Sequence, residues 1–309
     1  MDCSLIAGFL ERLRSERRYA APTLRAYTRD LRSLRKDLGE TGWSAVTPAL
    51  IRRLVARRAA GGLSARSIAR SLSAWRGFFD YLLAHACVTH NPVRQIRAPK
   101  MPHRLPKALA TDDSQRLLDQ DASGPASTLL RDQAIMELLY SSGLRLAELI
   151  QLDTAYHPGA LGWHDRDAAL VHVLGKGSKR RTVPVGRKAQ EAIERWLSLR
   201  AAWTARLPAA DPHALFLGVR GARISPRSIQ DRLALLGRLR GMPVPLHPHA
   251  LRHSFASDML QSSGDLRAVQ ELLGHASIAS TQIYTALDFQ RLAAVYDRAH
   301  PRAGRRSRD

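Results

Sequence analysis

Four short strings in this chain of 309 residues carry side chains that could do chemistry. They are SSGLRLAEL with Arg145, LGKGSKRR with Lys176, HPHALRHSFA with His249 and Arg252, and LLGHASIASTQIY with His275 and Tyr284. Such groups bind anions, move protons and, in the case of a tyrosine, attack as nucleophiles. His249 and Arg252 stand three apart just after Pro248, on one face of a helix's first turn, where the dipole favours an anion. Lys176 lies between two glycines in a hairpin turn, and the chain holds only six lysines against 42 arginines. Each string also has a plain structural reading. Lys176 could be an ordinary turn residue, His249 a capping histidine, His275 a partner for the helix end at Gly274, and Tyr284 a core aromatic. One at a time, none is specific.

Composition narrows the partner. Lys and Arg number 48 against 27 acidic residues, so the formal charge is +21 and the pI about 11.2. That balance points to a polyanion, either nucleic acid or an anionic membrane surface. No run of 18 or more apolar residues could span a membrane, and the first residues have their charges after the apolar stretch, unlike a signal peptide. Cys3 and Cys87 cannot make a disulfide scaffold or a thiolate zinc site, which suits a reducing cytoplasm. The sequence has no GxxxxGK[ST], no GxGxxG after a strand and no HExxH, so an enzyme here would work without ATP, NAD or zinc. His247, His249 and His253 spell HxHxxxH, but no carboxylate or cysteine completes a zinc set.

The elements that must hold these residues follow from periodicity. Residues 1–105 contain 20 Lys/Arg against 7 acids and read as four helices. Leu24, Tyr27, Leu31, Leu34 and Leu38 form a stripe at alternating spacings of three and four. Thr47-Pro48 opens the third helix, Gly61-Gly62 stops it, and Ile68, Leu72, Trp75, Phe79 and Leu82 mark the fourth. Their opposite faces carry Arg25, Arg29, Arg32, Arg52, Arg53, Arg66 and Arg70, whose single sign favours phosphate contact. Residues 91–106, with four prolines and no apolar period, read as an extended basic linker suited to a clamp. The remainder predicts helices at 111–120, 126–140 and after Gly143. A hairpin follows, of strands Ala169–Leu174 and Arg181–Val185, and then helices at 187–203, 226–240, 248–262, 265–273 and 278–298.

Taken in order, the set is Arg145, the hairpin Lys176, His249-x-x-Arg252, His275 and Tyr284 nine residues later. It resembles the active site of the tyrosine recombinase (phage integrase-like) family, and the resemblance runs over essentially the whole chain. The stretch GDLRAVQELLGHASIASTQIYTALDFQRLAAVYDRAHPRA is similar to the XerC branch, the chromosome-dimer resolvases. Two features depart from that branch. Ala286 stands where a histidine usually follows Tyr-Thr, and Ala155–Asp167 lacks the usual acidic turn before the hairpin.

The resemblance implies a mainly α fold. A four-helix, DNA-binding core-binding domain (1–90) and a linker (91–106) would precede a mixed α/β catalytic domain with a small β-hairpin (107–309). It also implies a reaction. Arg145 and Arg252 would fork onto the non-bridging oxygens of a phosphodiester, and His275 would add a further hydrogen bond. Tyr284 would attack to leave a 3′-phosphotyrosyl bond, with His249 exchanging its proton and Lys176 protonating the departing 5′-oxygen. The bond energy stays in the phosphotyrosine, so neither ATP nor a metal is required. The implied partners are a double-stranded DNA site, a XerD-like recombinase in a heterotetramer, and a septal DNA translocase. An integrase of a mobile element, or a non-catalytic DNA-binding relative, would share the fold. Leu292, Val295 and Tyr296 form an apolar strip near the end that needs a groove in its own domain or, the favoured reading, in a partner, with a basic tail after Pro301.

Overall fold

The apolar stripes of the first third fold into α1 (Asp2–Ser15), α2 (Ala21–Leu38), α3 (Pro48–Ala60) and α4 (Ala65–Ala84). The Thr47 hydroxyl accepts from the backbone N–H of Leu50 at the start of α3, and Ser64 caps α4 in the same way. Leu31, Leu34, Ile51, Leu72, Trp75, Phe78, Phe79 and Leu82 are buried together, as the stripes require. The computed structural model describes residues 2–17, 19–99, 110–119, 126–175, 180–207, 210–274 and 286–303. It divides into two compact units, Met1–Arg104 and Leu105–Asp309.

Two sequence expectations for the first unit change. Residues 91–98 are not an open linker: Val93 and Ile96 are buried in the first unit's core, and the Asn91 amide donates to the Arg76 carbonyl and to Asp80. Two apolar residues in a turn leave no helical or strand period, so this anchor was invisible in the pattern. Arg70 also differs from the other outward arginines. It forks onto the buried carboxylate of Asp30, at 2.8 and 3.0 Å, and Ser71 donates to the same group. Arg70 is nevertheless exposed, like Arg25, Arg29, Arg32, Arg52, Arg53 and Arg66.

The second unit opens with α5 (Thr111–Asp119), α6 (Ala126–Ser142) and the short α7 (Leu146–Ile150). A four-stranded sheet follows in the order β1 (Leu152–Asp153), β2 (Gly162–Asp165), β3 (Leu170–Leu174), β4 (Arg180–Pro184). β1 and β2 are parallel and the other pairs antiparallel; β3 and β4 are the expected hairpin, in the register Val171↔Val183 and His172↔Thr182. The segment 155–167, polar and rich in His and Gly, supplies β2 and so widens that hairpin. Val171, Val173 and Val183 face the core, whereas Trp163 stacks on its cross-strand neighbour His172 with ring centroids 4.4 Å apart.

Helices α8 (Arg187–Arg206), α9 (Pro226–Leu239), α10 (Pro248–Ser263), α11 (Leu266–Leu273) and α12 (Ala286–Ala299) complete the unit. The strip on α12 has its home here. Leu292 and Tyr296 are buried in the unit's own core and Val295 packs against it, which corrects the expectation of a partner's groove. The Tyr296 hydroxyl meets Ser141 Oγ at 2.6 Å. Beyond it, His300 stacks on the Tyr296 ring, and Arg302 forks onto Glu137 and reaches Asp119 at 3.0 Å. An apolar stripe on a terminal helix demands a groove, and this one is in the same unit, where α12 packs against α10 and α11 and Tyr296 reaches Ser141 of α6.

Candidate active site

Gly143 follows α6 directly with φ +54°, and a Cβ there would collide with the Phe255 ring. Only glycine lets the chain turn against α10 at this point. The turn delivers Arg145 to the N-terminus of α7. There the Glu148 carboxylate accepts from the Arg145 backbone N–H at 2.7 Å and from its Nη1 at 3.0 Å.

Arg252 projects from the first turn of α10, which His247 caps by accepting from the Ala250 N–H at 3.0 Å. The capping histidine is thus His247, and His249 is exposed, its ring 6.5 Å from that of His247. Burial, then the neighbouring His249, push the His247 imidazole below its usual range. His253 is exposed as well, so it is neither a core residue nor a support for the site.

Arg252 is 9% exposed and donates to the carbonyls of Gly143 and Leu273. Its pKa is pushed down to about 10, first by burial and then by the charges of Arg145 and Arg181, so it stays protonated at neutral pH. Arg145 meanwhile donates from Nη2 to the Gly274 carbonyl at 3.0 Å. A third guanidinium, Arg181 of β4, reaches the Leu272 carbonyl from Nε at 3.2 Å. Three successive carbonyls at the C-terminus of α11 therefore hold three arginines, where the helix dipole favours cations.

Glu148 balances the group. It is buried, and Arg181 donates to its two oxygens at 2.5 and 3.0 Å. Burial alone would raise this carboxyl; the hydrogen bonds and charge of Arg181, with those of Arg145, outweigh it and hold its pKa below the usual range. One carboxylate faces three guanidiniums, so the pocket keeps an excess of positive charge for an anion. The sequence reading missed both Glu148 and Arg181. Glu148 had a signal, since it stands three residues after Arg145 at the start of a helix, the spacing of a capping box.

Of the six residues singled out, the structure brings Arg145 and Arg252 together around Gly143 and the end of α11, with His249 on the exposed side of the same helix turn. Lys176, His275 and Tyr284 lie outside the described residues. His275 follows Gly274 directly, and Lys176 falls between β3 and β4, so the described backbone on either side runs through this region.

Comparison with known proteins agrees with this architecture. The phage integrase family matches residues 107–291, and the phage integrase N-terminal SAM-like domain matches residues 6–86. Tyrosine recombinase XerC of Ralstonia pickettii (strain 12J) is 53% identical over 309 residues, covering 96% of this chain and 94% of the relative. Tyrosine recombinase XerC of Pseudomonas aeruginosa (strain LESB58) is 51% identical over 302 residues, with 97% and 95% covered. Among solved structures, the Tn1549 transposon integrase with transposon right end DNA has a TM-score of 0.68 at 18% identity, covering 94% of this chain and 99% of that one. XerH recombinase bound to palindromic difH has a TM-score of 0.65 at 20% identity, with 93% and 82% covered, and shares the fold. Sequence and fold together place the chain in the phage integrase family, the tyrosine recombinases.

Proposed function

We propose that this protein is a XerC-type site-specific recombinase, which cuts and reseals DNA through a 3′-phosphotyrosyl intermediate and resolves chromosome dimers together with a XerD-like recombinase in a heterotetramer. The observation that carries the reading is the cluster of Arg145 and Arg252 on the α11 carbonyls, a preorganised anion site in a chain about half identical to XerC proteins. In this reading the two arginines hold the non-bridging oxygens and His275 adds a hydrogen bond. Tyr284 attacks, His249 takes and returns its proton, and Lys176 protonates the 5′-oxygen that leaves. The reaction conserves bond number, so the 5′-hydroxyl of another strand can reseal the phosphotyrosine. No helix among the described residues is long and apolar enough to cross a membrane. The protein would act on the chromosome in the cytoplasm, with a septal DNA translocase as activator.

The test is a nicked duplex carrying one half-site recovered from genomic fragments bound by the protein. A covalent protein–DNA species resistant to denaturant supports the reading. Tight binding with no covalent species at any temperature would make the protein a DNA-binding relative instead.

The two arginines should not tolerate lysine equally. Arg252→Lys places an amine, less basic than a guanidinium, where burial and two cations disfavour the charged form, so it holds its charge less firmly and loses the fork. Cleavage should fall about 10²–10³-fold, with half-site affinity nearly unchanged. Arg145 is 33% exposed, and a lysine there keeps its charge. Arg145→Lys should cost about tenfold less than Arg252→Lys. Single-turnover cleavage assays decide; equal losses would show that burial of Arg252 is irrelevant.

Affinity should also be steeply salt-dependent. Exposed Arg25, Arg29, Arg32, Arg52, Arg53 and Arg66, with the second unit's excess charge, suit a two-unit clamp that neutralises on the order of 6–10 phosphates. The log–log slope of affinity against salt should then be roughly −5 to −9. A slope near −1 is incompatible with a clamp.

A further inference from the structure

Arg181 belongs to none of the six positions, yet it bridges three elements of the site. It lies on β4, five residues after Lys176 in the sequence. Its Nη1 and Nη2 bind both oxygens of Glu148 on α7, and its Nε binds the Leu272 carbonyl on α11. The αL residue Gly274, which closes α11, sits against it: a Cβ there would lie 3.0–3.2 Å from the Arg181 side chain. One guanidinium therefore ties together the hairpin strand, the carboxylate that holds Arg145, and the helix end whose last carbonyls hold Arg145 and Arg252.

Three of its five N–H groups are used on this task, one on each nitrogen. All three bonds go to the protein's own carboxylate and carbonyl, which makes Arg181 a support for its neighbours. Its charge still matters. With Arg181 present, Glu148 receives two donors on each oxygen and is shared between two cations. Without it, the carboxylate would rest on Arg145 alone, and the arginine meant for the substrate would be drawn inward and neutralised.

We propose that Arg181 is a positioning residue for strand cleavage: it occupies Glu148 and fixes the end of α11, so that Arg145 is left oriented and charged toward the scissile phosphate. The inference rests on the recombinase reading above.

The experiment uses the full chain on the nicked half-site, with maximal adduct rate, half-site affinity and thermal midpoint measured for each variant. Arg181→Met should lower the maximal rate by about 10–100-fold while half-site affinity stays within about twofold. Arg181→Lys, which keeps charge but cannot span both oxygens and the carbonyl, should fall between that variant and the parent. Glu148→Gln removes the charge that Arg181 balances. The double variant should therefore be no slower than Arg181→Met alone, since the two residues act as one unit.

Parental rates in Arg181→Met, or losses that multiply in the double variant, would overturn the proposal. A drop in thermal midpoint with unchanged maximal rate would also overturn it, because the role would then be structural only. If Arg181→Met does not fold, the decision passes to Arg181→Lys, where a parental rate counts against the proposal and a reduced one supports it. Failure of the parent itself to form adduct strikes the recombinase reading, and is seen before any variant is compared.

Discussion

Tyr284→Phe should abolish the covalent adduct, by at least about three orders of magnitude, and leave half-site binding at its parental level. The change deletes one hydroxyl and keeps the ring, so the surface offered to DNA is nearly the same. The structure sharpens this prediction by removing the obvious substitutes. The chain has seven tyrosines, and Tyr140 and Tyr296 stand in the catalytic unit with Tyr284 and Tyr156. Tyr140 is fully buried and donates to Asp258 at 2.7 Å; burial, and then Asp258, push its phenol far up. Tyr296 is equally enclosed against Ser141, and burial raises it too. A nucleophile needs access and an accessible phenolate, and neither residue has them. Tyr156 is 65% exposed and packs edge-on to Trp163 of β2. Denaturing gels of parent and variant on the nicked duplex settle the matter. An adduct surviving in the variant would point to Tyr156.

What the sequence made legible divides along physical lines. The stripe on α2, the Thr47-Pro48 start of α3, and the hairpin of β3 and β4 were readable because each is a local pattern with a local cause. Helix period, cap chemistry and turn glycines all act within a few residues. Arg145 and Arg252 could be picked out through the spacing shared with the family, not because either looks unusual, and the structure brings these two together. Arg181 was not readable. Its partners Glu148 and Leu272 are 33 and 91 residues away, and in a chain with 42 arginines one more on a strand carries no signal. Strand β2 was hidden for a different reason. Gly162–Asp165 has no apolar alternation, since His164 is buried against Gln190 and Trp163 lies on the outer face beside His172. The strip on α12 was seen but assigned to the wrong groove. Periodicity says that a face needs covering, and it cannot say which molecule covers it.

That correction carries a stability prediction. Arg302 is buried, forked onto the buried Glu137 of α6 and bonded to Asp119. Arg302→Met leaves Glu137 as an unpaired charge in the core, which should cost the catalytic unit about 3–5 kcal/mol at pH 8. The cost should shrink on acidification. An unpaired buried carboxyl has a folded-state pKa raised above its unfolded value, so its protonated form is the one the fold accepts. Stability is then present below the unfolded pKa and lost as pH rises through the folded one. His300 works in the opposite sense. Burial pushes its pKa down to about 4, so the fold loses stability as pH falls from about 6.5 toward 4. The Arg302 charge contributes to that lowering, so the variant loses less on acidification than the parent, which shrinks the difference between them in the same direction. The quantity to follow is therefore the difference in unfolding free energy between Arg302→Met and the parent, measured by denaturant titration from pH 8 to pH 5. The difference should be largest at pH 8 and decline steadily toward pH 5. Deleting residues after Phe289 removes Leu292, Tyr296 and Arg302 at once, and forfeits a sum comparable to the whole stability of a domain. The truncated chain should not fold its catalytic unit, although its sequence keeps Arg145, Lys176, His249, Arg252, His275 and Tyr284. A small, pH-independent difference in Arg302→Met, together with a folded truncated chain, would mean that the C-terminal segment does not hold the catalytic unit together and is free to serve a partner.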